Sequence, residues 1–296
     1  MINPLIYIHT MREVNEKELK RLEQIANKIR QLIIESLREA KSGHTAGPLG
    51  MADIFSALYF FILNHDSKNP NWPERDRLVL SNGHICPVQY VALALAGYFP
   101  IEELMTLRKL NSRLQGHPHR GSLPGIETTS GPLGEGLSQA TGMALAAKMD
   151  NKKYFIYCIT SDGEHEEGNH WEAVLLAGKK KLNNLIQIVD RNNIQITGFT
   201  EDIMPLEPLK KKYEAFNWNV LKVNGNNIKE FILTAMQAQA FREKPTVIIA
   251  HTVPGMGVSF MENDFTWHGK TPNETEAKRA LEELEIIEGM INNKSM

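Results

Sequence analysis

Apolar residues recur three or four apart through residues 13–40: Leu19, Leu22, Ile25, Ile29 and Leu32, then Ser36, stand among Lys, Glu and Arg. That spacing puts them on one stripe of a helix, so 13–40 is predicted helical with one buried face. A second helix is expected over 51–63, after the breaker run Ala46-Gly47-Pro48-Leu49-Gly50. Residues 69–73 form a loop, 77–81 a short strand, and 87–96 and 101–110 two more helices. Residues 111–135 lose all period and hold five Gly, three Pro and two His. So long a loop inside a compact domain is usually functional. Residues 137–149 are again helical, with small Ala140, Gly142, Ala144 and Ala147 suited to close packing.

From 154 the pattern is cleaner. Continuous apolar runs at 154–160 and 185–190 flank a helix at 171–181. Helix, strand, helix and strand follow at 206–216, 220–223, 228–241 and 246–252, and a charged helix at 274–290 closes the chain. Short, fully apolar strands separated by helices predict an α/β fold, a mostly parallel sheet with helices on both faces. No internal repeat or low-complexity tract interrupts it. The expectation is one domain over 1–296, with an N-terminal helical region at about 12–63 and a C-terminal helix at about 274–290.

Composition narrows the class. Lys plus Arg number 33 and Asp plus Glu 35, and hydrophobic residues make up 42 % of 296. This excludes a fibre or a mostly disordered chain, and near-neutral charge argues against nonspecific nucleic-acid or anionic-membrane binding. Met1 to Met11 lacks the form of a secretory signal, and the most apolar stretch, 54–63, is half a membrane span. Cys86 and Cys158 are far apart in apolar surroundings and read as buried small hydrophobes. A cytoplasmic location is expected.

In a parallel sheet, ligands bind beyond the carboxyl ends of the strands. Those ends carry Ser161-Asp162-Gly163-Glu164-His165-Glu166-Glu167-Gly168, then Asp190-Arg191-Asn192-Asn193, then Asn224-Gly225-Asn226, then His251-Thr252-Val253-Pro254-Gly255. Asp162 and Asn192 are separated by 30 residues, one strand–helix–strand unit, so both reach one point above adjacent strand ends. A carboxylate, an amide oxygen and backbone carbonyls make a hard oxygen site suited to Mg²⁺ or Ca²⁺, and such an ion neutralises a diphosphate. Gly163 permits close approach of the backbone to a phosphate. Taken alone, these residues also read as an ordinary Asp-Gly turn and a loop Asn. No P-loop is present, and Gly131-Pro132-Leu133-Gly134-Glu135-Gly136 lacks the preceding strand of a dinucleotide fingerprint. His165 and His170, five apart, are not expected to share a helical face. His44, His84, His117, His119 and His268 stand beside Gly or Pro in loops or at element ends. Several such imidazoles lining one cleft suit a hydroxyl-rich substrate, since each donates or accepts a proton near neutral pH.

Taken in order, Ser42-Gly43-His44, Leu80-Ser81-Asn82-Gly83-His84, Gly116-His117-Pro118, the run 128–134, Asp162-Gly163 and Trp267-His268-Gly269 resemble the N-terminal, diphosphate-binding half of transketolase. The likeness covers nearly all of 12–272 and has the form of one polypeptide of a split transketolase. It implies thiamine diphosphate as cofactor. Asp162, Asn192 and the Ile194 carbonyl would hold Mg²⁺ or Ca²⁺. Gly163 and His84 would approach the phosphates, and Gly131 and Leu133 the pyrimidine. His44 and His268 would contact substrate hydroxyls and aid proton transfer, and His117 would contact the donor sugar. Glu167 and Glu172 match interface carboxylates. The implied reaction moves a two-carbon ketol unit from a ketose phosphate to an aldose phosphate.

Ser161 stands where the family usually has Gly, and Met256 where a basic residue is frequent. The larger departure is that the pyrimidine-binding half is missing. The resemblance therefore implies a separate partner subunit carrying it, a two-plus-two assembly, and inactivity of this chain alone. Nearby alternatives are a component of a deoxyxylulose-phosphate synthase-like or dihydroxyacetone synthase-like enzyme, or a non-catalytic scaffold subunit.

Overall fold

The computed structural model describes residues 14–294; the segment Met1 to Met11, residue 13 at the start of the expected first helix, and the last two residues lie outside them. Among the described residues seven strands are formed: β1 (Arg77–Leu80), β2 (Ile156–Ser161), β3 (Leu185–Arg191), β4 (Ile194–Gln195), β5 (Gly198–Phe199), β6 (Asn219–Asn224) and β7 (Thr246–His251). Five of them make one sheet in the order β1-β2-β3-β7-β6, every neighbour parallel. The α/β reading, a mostly parallel sheet with helices on both faces, is what the chain forms.

Ten helices accompany the strands among the described residues: α1 (Glu16–Ala40), α2 (Ala46–Gly50), α3 (Ala52–Ala57), α4 (Cys86–Leu95), α5 (Glu135–Met149), α6 (Gly168–Lys180), α7 (Thr200–Ile203), α8 (Leu209–Ala215), α9 (Ile228–Ala240) and α10 (Glu274–Asn292). Side chains alternate across each strand, so each strand feeds two cores. Leu78, Leu80, Tyr157, Ile159, Ile186, Ile188, Ile248 and Ala250 pack under residues of α1, α3, α4 and α9. Val79, Ile156, Cys158, Leu185, Val189, Val247 and Ile249 pack under residues of α5, α6 and α8. Burial on both faces is why β2 and β3 read as continuous apolar runs.

Local chemistry sets the helix ends. Asn15 caps α1 by accepting the Glu18 N–H, and Lys41 closes it in the left-handed region at φ 55°. Asn273 and Glu276 form a reciprocal capping box on α10. The expected helix 51–63 is divided into α3 and a π-type turn over Leu58–Ile62. Residues Ile101–Thr106 form 3₁₀ turns rather than a helix to 110, and 206–216 shortens to α8. The hairpin of β4 and β5, with two residues per strand, is too short for any periodicity to announce it. Cys86 and Cys158 are buried free thiols, as expected. Among the described residues no helix is long and apolar enough to cross a membrane.

Gly178 shows how tightly α6 is seated. A β-carbon there would stand 1.9 Å from the Phe216 carbonyl oxygen, beside Trp218, whose indole N–H donates to the Val174 carbonyl at 2.9 Å. Backbone cannot yield cheaply, so Gly178→Ala is expected to cost about 1–3 kcal/mol. Urea unfolding checks this; an unchanged midpoint would contradict it.

Candidate active site

Asp162 follows the last residue of β2, and its N–H still donates to the Asp190 carbonyl of β3 at 3.1 Å. Its carboxylate is fully buried. Oδ1 accepts the Gly163 N–H at 2.8 Å. Oδ2 accepts Arg191 Nη1 at 2.8 Å and the Asn193 N–H at 2.7 Å. Arg191 is itself held by Glu201 and lies 3.8 Å from Glu207. Burial raises the Asp162 carboxyl above its ordinary value, against the pull of Arg191.

Asn192, two residues beyond Asp190, is also buried. Its amide donates to Asp190 Oδ2 at 2.8 Å and its oxygen accepts the Ile194 N–H at 3.0 Å. Asn193 turns the chain at φ 60° into the β4–β5 hairpin, which starts at Ile194. The sheet thus carries Asp162, Asn192 and Ile194 to the ends of two adjacent strands. Among the described residues no three His, Cys, Asp or Glu side chains are grouped as a metal site. The expected set is of another kind, one carboxylate oxygen, one amide oxygen and one backbone carbonyl, and such hard donors fit Mg²⁺ or Ca²⁺.

Three histidines from distant segments meet. His44 precedes α2, His84 lies in a 3₁₀ turn after β1, and His268 follows a 3₁₀ turn over Phe265–Trp267. Their ring centroids are 5.0 Å (His44–His84), 5.4 Å (His44–His268) and 5.2 Å (His84–His268) apart. Burial lowers all three, with mutual repulsion added for His44 and His84: His44 and His268 fall to about 4 and His84 well below its ordinary value. They are neutral near pH 7, and each ring offers one N–H donor and one acceptor nitrogen. His117 is close enough to add to the lowering of His44 and His84, and its ring lies 3.6 Å from where a Gly131 β-carbon would sit. With Ser130 it lines a cavity of about 500 Å³ that also takes in exposed His119. The long loop 111–135 therefore brings His117 and Gly131 together, with Leu133 half-buried two residues on.

The glycines mark where chain meets chain closely. A β-carbon on Gly83 would stand 2.3 Å from Ser130 Oγ and 3.1 Å from the Gly131 nitrogen, and one on Gly163 would stand 3.0 Å from Gln195 Nε2. Gly131 has φ 141°, a backbone that side chains rarely adopt. Around this cradle Asn82 Nδ2 and Oδ1, Ser130 Oγ and His44 Nδ1 are buried with no protein partner. Buried polar atoms are ordinarily satisfied, so these orphans fit a polar group arriving from outside the chain. A tight glycine-lined cradle, a hard oxygen set and unpaired polar atoms, the Asn82 amide N–H and the Ser130 hydroxyl among the donors, together fit a diphosphate with its metal.

The sequence alone assigned no role to Glu164, Arg191 or His165. Glu164 is fully buried; it accepts the Ser81 hydroxyl, the Gly134 N–H at 2.6 Å and the Ser161 N–H at 3.2 Å. Ser81 Oγ in turn accepts the Gly136 N–H at 3.0 Å. One carboxylate thus ties together the loops after β1, before α5 and after β2. The available signal was an acid two residues after a strand-end Asp. Ser161, in the place of the family's glycine, is buried at the end of β2. Met256 lies between Gly255 and Gly257, both at positive φ. Glu167 is the residue before α6 rather than inside it, and it and Glu172 are exposed. His165 and His170 do not share a helical face, since His165 lies in a 3₁₀ turn before α6 and His170 inside α6, yet that turn brings their rings together, with centroids 4.1 Å apart.

A larger cavity, about 610 Å³, opens instead at the amino end of β1, beside Arg75, Arg77 and Tyr154. Its arginines are largely engaged: Arg75 with Glu127, Arg113 with Glu103, and Arg77 with backbone carbonyls. It is remote from the strand-end carboxylate.

Fold and strand ends together define a thiamine diphosphate-binding α/β domain. The chain belongs to the transketolase family: residues 22–287 match the family described as transketolase, thiamine diphosphate binding domain. It is 44 % identical over 264 residues to the 6-deoxy-6-sulfo-D-fructose transketolase subunit SqwG of Clostridium sp. (strain MSTE9), covering 89 % of this chain and 96 % of that one. It is 43 % identical over 264 residues to an apulose-4-phosphate transketolase subunit of Actinobacillus succinogenes, covering 89 % and 95 %. The crystal structure of transketolase from Campylobacter jejuni superposes with a TM-score of 0.85 at 38 % identity, over 89 % of this chain and 42 % of that one. The chain is thus similar in extent to separate transketolase subunits and to less than half of the single-chain enzyme, consistent with a separate N-terminal half.

The neutral histidines have a consequence for stability. Unfolded histidine takes a proton near 6.5, whereas folded His44 and His268 refuse it until about 4. The unfolded state then binds more protons in that window, so stability is lost as pH falls through it. His44→Gln is expected to reduce the drop in melting temperature between about pH 7 and about pH 5. An unchanged slope would contradict the clustered, neutral state.

Proposed function

We propose that this chain is the diphosphate- and metal-holding subunit of a two-chain transketolase that moves a two-carbon ketol unit from a ketose phosphate to an aldose phosphate. The observation that carries this reading is the oxygen set at the ends of β2 and β3, facing the same pole of the fold as the histidine cluster. In it, Asp162, Asn192 and the Ile194 carbonyl hold Mg²⁺ or Ca²⁺, and Gly163 lets the backbone come close to the phosphates. His84 donates to a phosphate oxygen. Gly131 and Leu133 border the pyrimidine. Thiamine diphosphate, when bound, supplies the electron sink for carbon–carbon cleavage. His44 and His268, neutral at working pH, hydrogen-bond substrate hydroxyls and aid proton transfer there, and His117 orients the donor sugar.

The partner subunit helps choose the sugar: relatives named for a sulfofructose and for apulose-4-phosphate are 44 % and 43 % identical to this chain, so these likenesses favour neither sugar. The pyrimidine-binding domain is supplied by a separate chain, and two copies of each chain complete the assembly. Glu167 and Glu172, exposed at the start of α6, face that interface. The reading places the enzyme in the cytoplasm.

The test mixes the purified chain with the pyrimidine-binding subunit, thiamine diphosphate, Mg²⁺, a ketose phosphate and an aldose phosphate. Ketol transfer is expected from the mixture and from neither chain alone, and Asp162→Ala is expected to abolish it together with metal-dependent cofactor binding. Transfer by the isolated chain, or full activity of Asp162→Ala, would overturn the reading. Pyruvate serving as donor in place of the ketose would favour a deoxyxylulose-phosphate synthase-like enzyme.

A further inference from the structure

Behind the Asp162 turn, on the side away from the cradle, lies a buried polar chain with no part in the roles above. Thr160, Gln187, His170 and Tyr213 are fully buried and His165 is 2 % exposed. Gln187 Nε2 lies 2.9 Å from Thr160 Oγ1, and Gln187 Oε1 lies 3.0 Å from the Tyr213 hydroxyl. The same hydroxyl lies 2.8 Å from His165 Nε2 and 2.9 Å from His170 Nε2. On its other edge His165 Nδ1 faces the Ser161 carbonyl at 2.9 Å and the Asp162 carbonyl at 3.1 Å.

Counting protons fixes the direction of this chain. Two carbonyl oxygens face His165 Nδ1, so Nδ1 must carry a hydrogen. With the Gln187 amide oxygen towards Tyr213, the single tyrosyl proton goes to Gln187. Both imidazoles must then donate to Tyr213, and His165 becomes a doubly protonated cation. No carboxylate is hydrogen-bonded to His165, and a buried cation without one is costly. Turning the amide over removes the conflict; its oxygen and nitrogen are interchangeable in shape. Thr160 then donates to Gln187 Oε1, Gln187 Nε2 to Tyr213, Tyr213 to His165 Nε2, and His165 Nδ1 to the two carbonyls. His170 donates into the second lone pair of Tyr213, and its own Nδ1 is the buried atom without a partner. Every other contact is satisfied with neutral groups.

We infer that His165 and Tyr213 are positioning residues: a one-way hydrogen-bond chain from Thr160 through Gln187 and Tyr213 to His165 grips the Ser161 and Asp162 carbonyls and fixes the Asp162 carboxylate at the strand end. Trp171 adds to the grip by donating its indole N–H to the His165 carbonyl at 2.7 Å. The inference rests on the reading of Asp162 as a metal ligand. Partners behind metal ligands typically govern about 10–100-fold in affinity.

Two measurements test it. In the free chain with ¹⁵N-labelled histidine at neutral pH, His165 is expected as the neutral tautomer with hydrogen on Nδ1; an imidazolium, or hydrogen on Nε2 alone, would overturn the chain. In the complex with thiamine diphosphate and the pyrimidine-binding subunit, Mn²⁺ affinity is measured by electron paramagnetic resonance. Tyr213→Phe and His165→Leu are each expected to weaken Mn²⁺ binding about tenfold. His165→Asn, whose amide N–H can still reach the two carbonyls, is expected to recover most of that loss, which a merely space-filling role would not do. If wild type binds Mn²⁺ but the variants bind it equally well, the positioning role alone fails. If wild type binds none, the cofactor reading fails and takes this role with it. Should Tyr213→Phe not fold, the His165 pair and the tautomer still decide.

Discussion

The parallel ladder between β2 and β3 sets Ser161 opposite Asp190 and carries Asp162 one residue further, into a place where its carboxylate is out of water. Burial of a carboxylate is costly unless it is paired and hydrogen-bonded. Here the pairing comes from the neighbouring strand: Arg191 ends β3, Asn193 follows two residues later, and both donate to Asp162. The same short stretch holds Asn192 against Asp190. A slip of the ladder by one residue would turn these groups to the other face and dismantle the pole at once. The two apolar cores matter to function for that reason, since they hold the register.

Around that pole the protein is built as layers of fixation. Glu164 ties three loops from the front, His165 and Tyr213 hold the turn from behind, and α6, seated against the backbone at Gly178, starts immediately after the turn. Glycines occur where a side chain would break the contact, at Gly83 against Ser130 and at Gly163 against Gln195. Preorganisation of this kind is what a cofactor enzyme supplies, because the bond-making chemistry belongs to the cofactor.

Much of this was legible in the sequence. The apolar runs at 154–160 and 185–190 became β2 and β3 because strands buried on both faces are built mostly of apolar residues. The ordered motifs led to His44, His84 and His268, which no local pattern could have placed within 5.4 Å of one another. What stayed hidden was short or non-local. Two-residue strands such as β4 and β5 have no period to detect. The 3₁₀ turn Gly163–Glu166 broke the helical count between His165 and His170. Glu164 looked like one more acid in an acidic run until the fold brought Ser81 and Gly134 to it from 83 and 30 residues away.

The described residues bring hard oxygens, a glycine cradle and neutral histidines to one pole of the sheet. On this account a divalent cation, coordinated by the ends of β2 and β3, anchors a diphosphate. Anomalous diffraction from crystals grown with Mn²⁺ and thiamine diphosphate tests this most directly. A manganese peak bonded to an Asp162 carboxylate oxygen, Asn192 Oδ1 and the Ile194 carbonyl oxygen is expected. A peak elsewhere, or thiamine diphosphate bound in its absence, would contradict it.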